Sequence, residues 1–296
     1  MIKLFWNTHN LKKTVTIDNN IKKKEAIDYK WGIYHKENSD KWIYEILKKI
    51  SYNTINSKEE LKKEDILIII DSSVENKIDV YNKLKTTCSK IILFHLGDET
   101  GIHDLTQVYD KCNYVLRPFC SNKYFKNEKV KCIPIGYKSG IKDQQIRNRE
   151  YKWAFTGTPH KSSRHDLLFQ LNSIKPFFCH KTEKFDKKII SVEEMSKVLS
   201  TTIFIPCPNG FYHPETYRLY EALQCGCIPI VEDTYKYYDR LFPGNPFIKV
   251  GKWTDAKPII NDWNENDITK KKTECMTWWK NYKINLQELV KNELRK

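Results

Sequence analysis

Short apolar runs that alternate with segments of helical periodicity are the feature that most constrains the fold of this chain. The run Ile-Leu-Ile-Ile-Ile at 66–70 is continuous rather than alternating. A strand of this kind is buried on both faces, as in a parallel sheet that is covered by helices. Similar runs recur between residues 3 and 250. The sequence therefore predicts a doubly wound α/β protein.

The predicted elements fall into two similar halves. Predicted strands in the first half lie at 3–6, 65–71, 90–96, 114–117 and 131–136, with helices at 40–50, 75–88 and 103–111. Predicted strands in the second half lie at 153–157, 176–180, 202–208, 227–233 and 246–250, with helices at 163–172, 192–199, 215–225 and 234–241. A long Lys-rich helix is predicted at 267–295. Two Rossmann-like domains that face one another form a cleft, and ligands of such sheets bind at the carboxyl ends of the strands.

The two halves are separated by a polar, aperiodic stretch at 138–152, which we interpret as an interdomain linker. A chain of 296 residues has room for two domains. We predict an N-terminal Rossmann-like domain at 1–145 and a second Rossmann-like domain at 146–266. The helical segment at 267–296 is predicted to pack back on the N-terminal domain.

Charge, hydropathy and cysteine content exclude several classes of protein. The formal net charge is +14, but the lysines are dispersed and form no basic stripe, which argues against nucleic-acid binding and suits anionic small molecules such as nucleotide sugars. The longest apolar run has five residues, at 66–70, so we expect no membrane span. The start of the chain resembles no signal peptide, and the nine scattered cysteines include no C-x-x-C pair. We therefore expect reduced thiols in a cytoplasmic protein.

The stretch Glu-Thr-Tyr-Arg-Leu-Tyr-Glu-Ala-Leu-Gln-Cys-Gly-Cys-Ile-Pro-Ile-Val-Glu-Asp at 215–233 predicts a helix followed by a buried strand. On a helical projection Arg218 and Glu221 lie opposite the apolar stripe, so they are expected to face away from the core. Gly226 suits the left-handed position that follows a helix. The plain interpretation of Arg218 and Glu221 is an exposed salt bridge between residues three apart.

A second interpretation of this pair comes from the Pro-Asn-Gly loop at 208–210, which precedes the helix. Such a loop leaves the helix amino terminus open to a phosphate group. Arg218 would then clamp a diphosphate through two parallel hydrogen bonds. Glu221 would accept hydrogen bonds from ribose hydroxyls. The spacing suits a nucleotide diphosphate.

Several segments resemble the exostosin-like glycosyltransferases, glycosyltransferase family 47. Residues 217–233 resemble the family's Arg-x-x-Glu-Ala-Leu and Gly-Cys-Ile-Pro signature, and 153–168 resemble its Phe-x-Gly strand, loop and helix. Residues 114–140, which end in Gly-Tyr-Lys-Ser-Gly, and Phe-His-Leu-Gly-Asp-Glu at 94–99 resemble the ribitol β-1,4-xylosyltransferase branch. Together the segments cover about residues 90–233 in the expected order.

This resemblance implies a GT-B fold, a nucleotide-sugar donor held mainly by the C-terminal domain, and inversion at the anomeric carbon. The N-terminal domain would face the acceptor, which we expect to be a glycan. Because the branch transfers xylose, UDP-xylose is the expected donor. UDP-glucuronate, UDP-GlcNAc, UDP-galactose or GDP-fucose are the alternative donors, and a catalytically silent nucleotide-sugar or glycan-binding module is the alternative function.

We expect no metal ion or other cofactor. Transferases of the GT-A type use an Asp-x-Asp motif to hold a divalent cation, and this chain contains none. Cationic side chains and helix amino termini must then neutralise the diphosphate. The candidates are Arg218, Arg164 and the backbone of Gly157 and Thr158. The plain structural interpretation of Gly157 is a tight turn, and that of Arg164 is a surface residue.

The remaining candidates lie at other predicted strand ends. An inverting transferase needs a base that takes the acceptor's proton, and we predict Asp98 or Glu99 for this role. His95 is expected to be a core histidine, and His9 occupies another strand end. Further candidates have a functional and a structural interpretation: Arg117 would contact donor phosphates, an acidic acceptor or a structural partner; His213 and Glu215 would contact the transferred sugar or cap a helix; Phe211 and Tyr212 would stack on a ligand or pack.

Overall fold

The structure is a computed structural model that describes residues 1–7, 36–75, 77–146, 148–183, 190–233 and 235–296. The candidate His9 lies outside these residues. The chain divides into two compact units. Unit 1 comprises Met1–Pro134 and Gln287–Lys296, and unit 2 comprises Ile135–Leu286.

Unit 1 is built on a parallel sheet that has six strands in the described residues, in the order β2-β1-β3-β4-β5-β6. The strands β1 to β6 are Ile2–Trp6, Asn53–Ile55, Ile66–Asp71, Lys90–His95, Tyr114–Arg117 and Val130–Cys132. The helices α1 to α4 are Lys36–Leu47, Ile78–Thr87, Thr106–Tyr109 and Asn122–Phe125. A short 3-10 helix spans Lys58–Glu60. The central strands are buried along nearly their whole length, because helices cover both faces.

Unit 2 repeats this architecture with a parallel sheet in the order β11-β10-β9-β7-β8. The strands β7 to β11 are Tyr151–Gly157, Phe177–Lys181, Thr202–Cys207, Ile228–Glu232 and Ile248–Val250. The helices α5 to α9 are Arg164–Leu171, Val192–Ser200, Tyr217–Gln224, Tyr237–Leu241 and Ala256–Asp262, and a 3-10 helix spans Trp253–Asp255. The core contains Trp153, Phe204 and Trp253. Two parallel sheets covered by helices confirm the predicted α/β class.

The last helix, α10, spans Glu265–Arg295. Its final residues belong to unit 1, where the Gln287 amide donates to the Glu45 carbonyl oxygen at 2.9 Å and Lys49 pairs with Glu288 at 2.9 Å. Among the described residues, no helix combines the length and the apolar character that crossing a membrane requires.

The stretch predicted as an interdomain linker, 138–152, lies within unit 2. Backbone N–H groups of Lys142 and Gln144 donate to the Ser196 and Ser200 hydroxyls of α6, which ties the stretch to that helix. The units therefore divide at Pro134 and Ile135 and again at Leu286 and Gln287, whereas the predicted boundaries were 145/146 and 266/267. Side-chain hydrogen bonds that join polar residues in space leave no periodic trace in a sequence.

Arg149 gives this stretch a structural task that the sequence did not reveal. Its guanidinium donates to the carbonyl oxygens of Leu199 and Thr202 at 2.7 and 2.8 Å and of Cys225 and Gly226 at 2.9 and 3.1 Å. These carbonyls lie in or just after the last turns of α6 and α7, whose final C=O groups lack helical partners. Gly226 has a φ of +67°, as predicted for the residue that follows α7.

The interpretation that all nine cysteines are reduced is wrong. Cys120 and Cys132 form a disulfide in unit 1, between the residues that follow β5 and the last residue of β6. The two strands are neighbours in the sheet, which brings together cysteines that no short motif joins. Disulfides persist mainly in oxidising compartments. The expectation of reduced thiols therefore no longer supports a cytoplasmic location, which stays a prediction.

Candidate functional site

Two arginine side chains of unit 2 meet at the carboxyl end of β7. Arg218, on α7, donates from Nη2 to the Thr156 carbonyl oxygen at 3.1 Å. Arg164, the first residue of α5, donates from Nη1 to the Thr158 carbonyl oxygen at 3.2 Å. The residue between these carbonyls, Gly157, has a φ of +138°, a conformation that favours glycine. The structure thus brings together four of the predicted donor-binding residues, counting Thr158.

Arg218 also pairs with Glu221, through Nη1 and Oε2 at 3.0 Å. The expectation that both side chains face away from the core is wrong for Glu221, which is 4% exposed. Its helix lays this face against the end of β7, as the bond from Arg218 to Thr156 shows. The ion pair between residues three apart is present, but it is partly buried rather than exposed.

Arg164 keeps unused hydrogen-bonding capacity. Its Nε is buried and finds no hydrogen-bond partner in the described ranges. Burial lowers the pKa of the guanidinium, and the positive charge of Arg218 lowers it further. A buried donor without a partner is costly, and so is a second positive charge nearby. An anion that accepts from both guanidinium groups would relieve both costs.

Thr158 lies beside this arginine pair. It is buried, and its hydroxyl lies 3.3 Å from that of Thr182, which follows β8. The Thr182 N–H in turn donates to the Gly157 carbonyl oxygen at 3.0 Å. These contacts hold the loop after β7 in a defined position.

Glu215 is a buried structural carboxylate, 2% exposed. Oε1 accepts from the Ile135 N–H at 3.1 Å and from the Tyr220 hydroxyl, and Oε2 accepts from the Tyr237 hydroxyl at 2.9 Å. Both oxygens therefore have protein donors. Burial and the Glu215 charge raise the pKa of Tyr220 well above its usual range, which keeps that hydroxyl protonated as a donor. The contact of Glu215 with a donor sugar stays a prediction that these bonds do not favour.

His213 helps to hold the same loop. Its Nδ1 accepts from the Glu215 N–H at 3.2 Å, and its ring meets the Tyr237 ring edge-on at 4.8 Å. Phe211 and Tyr212, the two residues that precede His213, are 55% and 54% exposed. His213 and Glu215 thus anchor a loop that presents two aromatic rings to solvent.

In unit 1, Arg117 is fully buried and occupies the last position of β5. Nε donates to the Pro118 carbonyl oxygen at 3.1 Å, and Nη1 donates to the Tyr109 hydroxyl at 2.9 Å. Nη2 lies 3.4 Å from Asp98 Oδ2 and from the carbonyl oxygens of Asp98 and Phe119. The guanidinium also stacks on the Tyr124 ring at 3.9 Å. These contacts favour the structural interpretation of Arg117.

The predicted bases Asp98 and Glu99 follow β4. The Asp98 side chain is fully buried in its ion pair with Arg117, its Oδ1 has no partner among the described side chains and backbone groups, and its backbone φ is +60°. A residue other than glycine in this conformation carries strain, which is frequent near functional sites. Glu99 is half-buried. Which of the two acts as a base stays a prediction.

His95 behaves as the predicted core histidine. It is fully buried, its Nδ1 lies 2.7 Å from the Tyr109 hydroxyl, and its Nε2 has no partner in the part of the chain that the structure describes. Burial lowers its pKa well below the usual value, and the positive charge of Arg117 lowers it further. The ring therefore stays neutral inside unit 1.

Three polar residues beside the arginine pair were absent from the predicted site: Ser163, Asn209 and Glu232. The Ser163 hydroxyl donates to Glu232 Oε2 at 2.5 Å, and the Asn209 N–H lies 3.4 Å from the same oxygen. Two of them could have been recognised in the sequence by their positions at predicted strand ends, because Glu232 ends β10 and Asn209 follows β9 by two residues. Carboxyl ends of neighbouring parallel strands lie at one edge of a sheet.

Within the described ranges, no group of three or more His, Cys, Asp or Glu side chains is arranged to hold a metal ion. The predicted independence from metal ions is not tested by this observation.

Comparisons with known proteins agree with this architecture. A family model described as the RXYLT1 C-terminal domain matches residues 137–296, more than half of the chain. Ribitol-5-phosphate xylosyltransferase 1 of Danio rerio is 25% identical over 162 residues, which cover 48% of this chain and 37% of the relative. The match thus spans little more than a third of that relative's length.

A solved structure shares the fold. The crystal structure of Anabaena HepE in complex with UDP and glucose superposes with a TM-score of 0.56 and 10% sequence identity. The match covers 100% of this chain and 99% of the HepE chain. At this identity the likeness concerns the fold alone.

Proposed function

The chain belongs to the RXYLT1 C-terminal domain family of exostosin-like glycosyltransferases, and from this premise we propose that unit 2 holds a UDP-sugar donor whose diphosphate lies between Arg164 and Arg218. The transfer inverts the anomeric carbon and needs no metal ion. UDP-xylose is the proposed donor, which the name of the Danio rerio relative supports, and a glycan is the proposed acceptor.

The convergence of two guanidinium groups on the end of β7 is the observation that carries this proposal. Arg164 and Arg218 donate to the carbonyl oxygens on either side of Gly157, so both charges lie at one strand end. Glu221 offsets only one of them. A diphosphate supplies negative charge and several acceptor oxygens, and Arg binds such groups in a bidentate manner.

Glu221 contributes the ribose contact in this proposal. Its Oε2 is taken by Arg218, and Oε1 accepts from ribose hydroxyls. A carboxylate that is buried and already held by an arginine is fixed in orientation, so it loses little conformational entropy when the ribose binds.

The proposed transfer is a single displacement at the anomeric carbon. The acceptor hydroxyl oxygen bonds to the anomeric carbon on the face opposite the diphosphate, while the bond from that carbon to the diphosphate oxygen breaks and UDP leaves with the electron pair. Arg164 and Arg218 stabilise the charge that develops on the leaving diphosphate. The acceptor's proton passes to a carboxylate. Of the two candidates we propose Glu99, because its side chain is half-buried whereas that of Asp98 is fully buried.

A panel of nucleotides tests this function. The purified protein is mixed separately with UDP, with UDP-xylose and with each alternative donor, in the presence and absence of EDTA. The alternative donors are UDP-glucuronate, UDP-GlcNAc, UDP-galactose and GDP-fucose. Thermal unfolding and slow donor hydrolysis are measured. We expect UDP and UDP-xylose to raise the unfolding temperature, with hydrolysis unchanged by EDTA.

Other outcomes separate the alternatives. Strict dependence on added Mn²⁺ would contradict the proposed metal-free site. Stabilisation without hydrolysis or transfer would identify a silent binding module, and no stabilisation by any nucleotide would refute the donor site.

A further inference from the structure

Glu232 joins three segments of unit 2 that the donor site does not yet use. Its Oε2 accepts from the Ser163 hydroxyl at 2.5 Å and from the Asn209 N–H at 3.4 Å. The Trp253 indole N–H donates to the Ser163 hydroxyl at 2.8 Å, which fixes the serine. Ser163 directly precedes Arg164. A partly buried carboxylate is thus hydrogen-bonded to the residue that precedes a proposed phosphate ligand.

Two acceptor atoms of this cluster have capacity left. Asn209 Oδ1 is buried and has no hydrogen-bond partner among the residues that the structure describes. Within the described part of the chain, both hydrogen bonds to the Glu232 side chain end on Oε2, which leaves the lone pairs of Oε1 for a ligand. A buried acceptor without a donor costs free energy unless a ligand supplies one. The cluster therefore calls for a ligand rich in hydroxyl groups.

A sugar ring meets this requirement at this place. In a UDP-sugar the ring is bonded directly to the β-phosphate, so a diphosphate at Arg164 puts the ring beside the neighbouring Ser163 and its partner Glu232. The same loop that carries Asn209 exposes the rings of Phe211 and Tyr212. An aromatic face packs against the apolar C–H face of a sugar, while carboxylate and amide oxygens accept from its hydroxyls.

The charge of Glu232 also sets which sugar fits. A uronic acid brings its own carboxylate, and two like charges in a partly desolvated site repel. The arginine that would have favoured an acidic donor, Arg117, has every nitrogen of its guanidinium bonded within unit 1. The ammonium group of Lys161, in the loop before Arg164, lies 5.0 Å from the centre of the Phe211 ring, in a cation–π contact.

We infer that Glu232 and Asn209 bind the hydroxyls of the donor's sugar ring, that Ser163 positions Glu232, and that this subsite selects a neutral sugar over a uronic acid. The inference rests on the proposed function, since it deepens the same donor site.

Dissociation constants for three ligands test the inference: UDP, UDP-xylose and UDP-glucuronate, of which the last two differ only by the carboxylate on the ring. They are measured for the wild type, for Glu232→Gln, and for the matched control Glu274→Gln on α10. In the wild type we expect UDP-xylose to bind more tightly than UDP-glucuronate. In Glu232→Gln we expect unchanged UDP binding, UDP-xylose binding weakened by about tenfold, and a smaller preference between the two sugars. The control should match the wild type.

A second variant guards against loss of folding. Asn209→Ala keeps the backbone N–H that Glu232 accepts from, and it should weaken UDP-xylose but not UDP. If the wild type binds UDP but prefers UDP-glucuronate, or if both variants leave the ratio of UDP-xylose to UDP binding unchanged, the sugar subsite is refuted while the donor site stands. If both variants weaken UDP and UDP-xylose equally, the cluster contacts the nucleotide instead. If the wild type binds no UDP, the proposed function itself fails.

Discussion

Arginines at the strand ends of the two units have opposite environments. Arg117 of unit 1 is 0% exposed, every nitrogen of its guanidinium has a protein acceptor, and an aromatic ring stacks on its face. In unit 2, Arg164 retains a buried N–H without a partner, and Arg218 is close enough to lower its pKa. The strand-end position is similar, and what differs is whether the protein itself satisfies the charge. An arginine whose donors are filled stabilises a unit, and a pair with donors to spare is suited to bind an anion.

The largest effect we expect is on stability, from Arg117→Met. The change leaves the buried Asp98 carboxylate without its partner, and breaking a buried ion pair in this way costs about 3–5 kcal/mol of unfolding free energy. Urea unfolding measures it, with the exposed Arg295→Met as control. Unchanged stability together with weakened UDP binding would reverse the assignment of roles to the two kinds of arginine.

A loss of UDP binding that exceeds the loss of stability is expected from Arg218→Ala, which also removes the partner of the buried Glu221 carboxylate. The diphosphate loses charge-assisted hydrogen bonds, so UDP binding should weaken by about a hundredfold. Isothermal titration calorimetry measures the affinity, and circular dichroism checks the fold. Arg218→Lys keeps the charge but not the planar guanidinium, so its affinity for UDP should lie between those of the wild type and Arg218→Ala. Wild-type affinity in Arg218→Ala would sink the proposed donor site.

The smallest expected effect concerns pH and the cluster around Arg117. The native pKa of His95 is lowered by burial and by Arg117, so below the ordinary value of 6.5 the unfolded chain binds a proton that the native protein does not. The stability that His95 contributes is therefore present above pH 6.5 and is lost as the pH falls, at about 1.4 kcal/mol per pH unit until the native ring also protonates. The slope of unfolding free energy between pH 6.5 and 5.5 should be shallower in His95→Gln than in the wild type or in His160→Gln. Equal slopes in the three proteins would show that the native ring takes up its proton without cost.

The fold was largely predictable because it follows from local patterns. Continuous apolar runs located ten strands to within a few residues, and the helix over 217–224 was anticipated with its terminal Gly226. The short strand Asn53–Ile55 was missed because it is polar and mostly exposed. The helix Ala256–Asp262 was missed because it contains a proline and directly follows the 3-10 helix Trp253–Asp255.

The site was predictable only in part. Arg218 and Glu221 were proposed from their spacing and Arg164 from its place in a resembling segment, and their role in donor binding stays a prediction. Ser163, Asn209 and Glu232 carry no motif, and only the parallel pairing of β9 with β10 brings the last two together. Conversely, Glu215 and Arg117 matched a functional pattern, yet protein donors and acceptors occupy both side chains.

The sequence by itself thus determined the α/β class, the parallel strands, and the arginines that we propose as ligands of a diphosphate, because apolar periodicity and charge are properties of neighbouring residues. Only the tertiary structure decided which polar side chains are already satisfied. Whether an arginine or a carboxylate is available to a ligand depends on partners that arrive from distant segments, such as Tyr237 at Glu215 and Tyr109 at Arg117. A buried polar group has to be paired by the protein or by what it binds, and the structure tells the two cases apart.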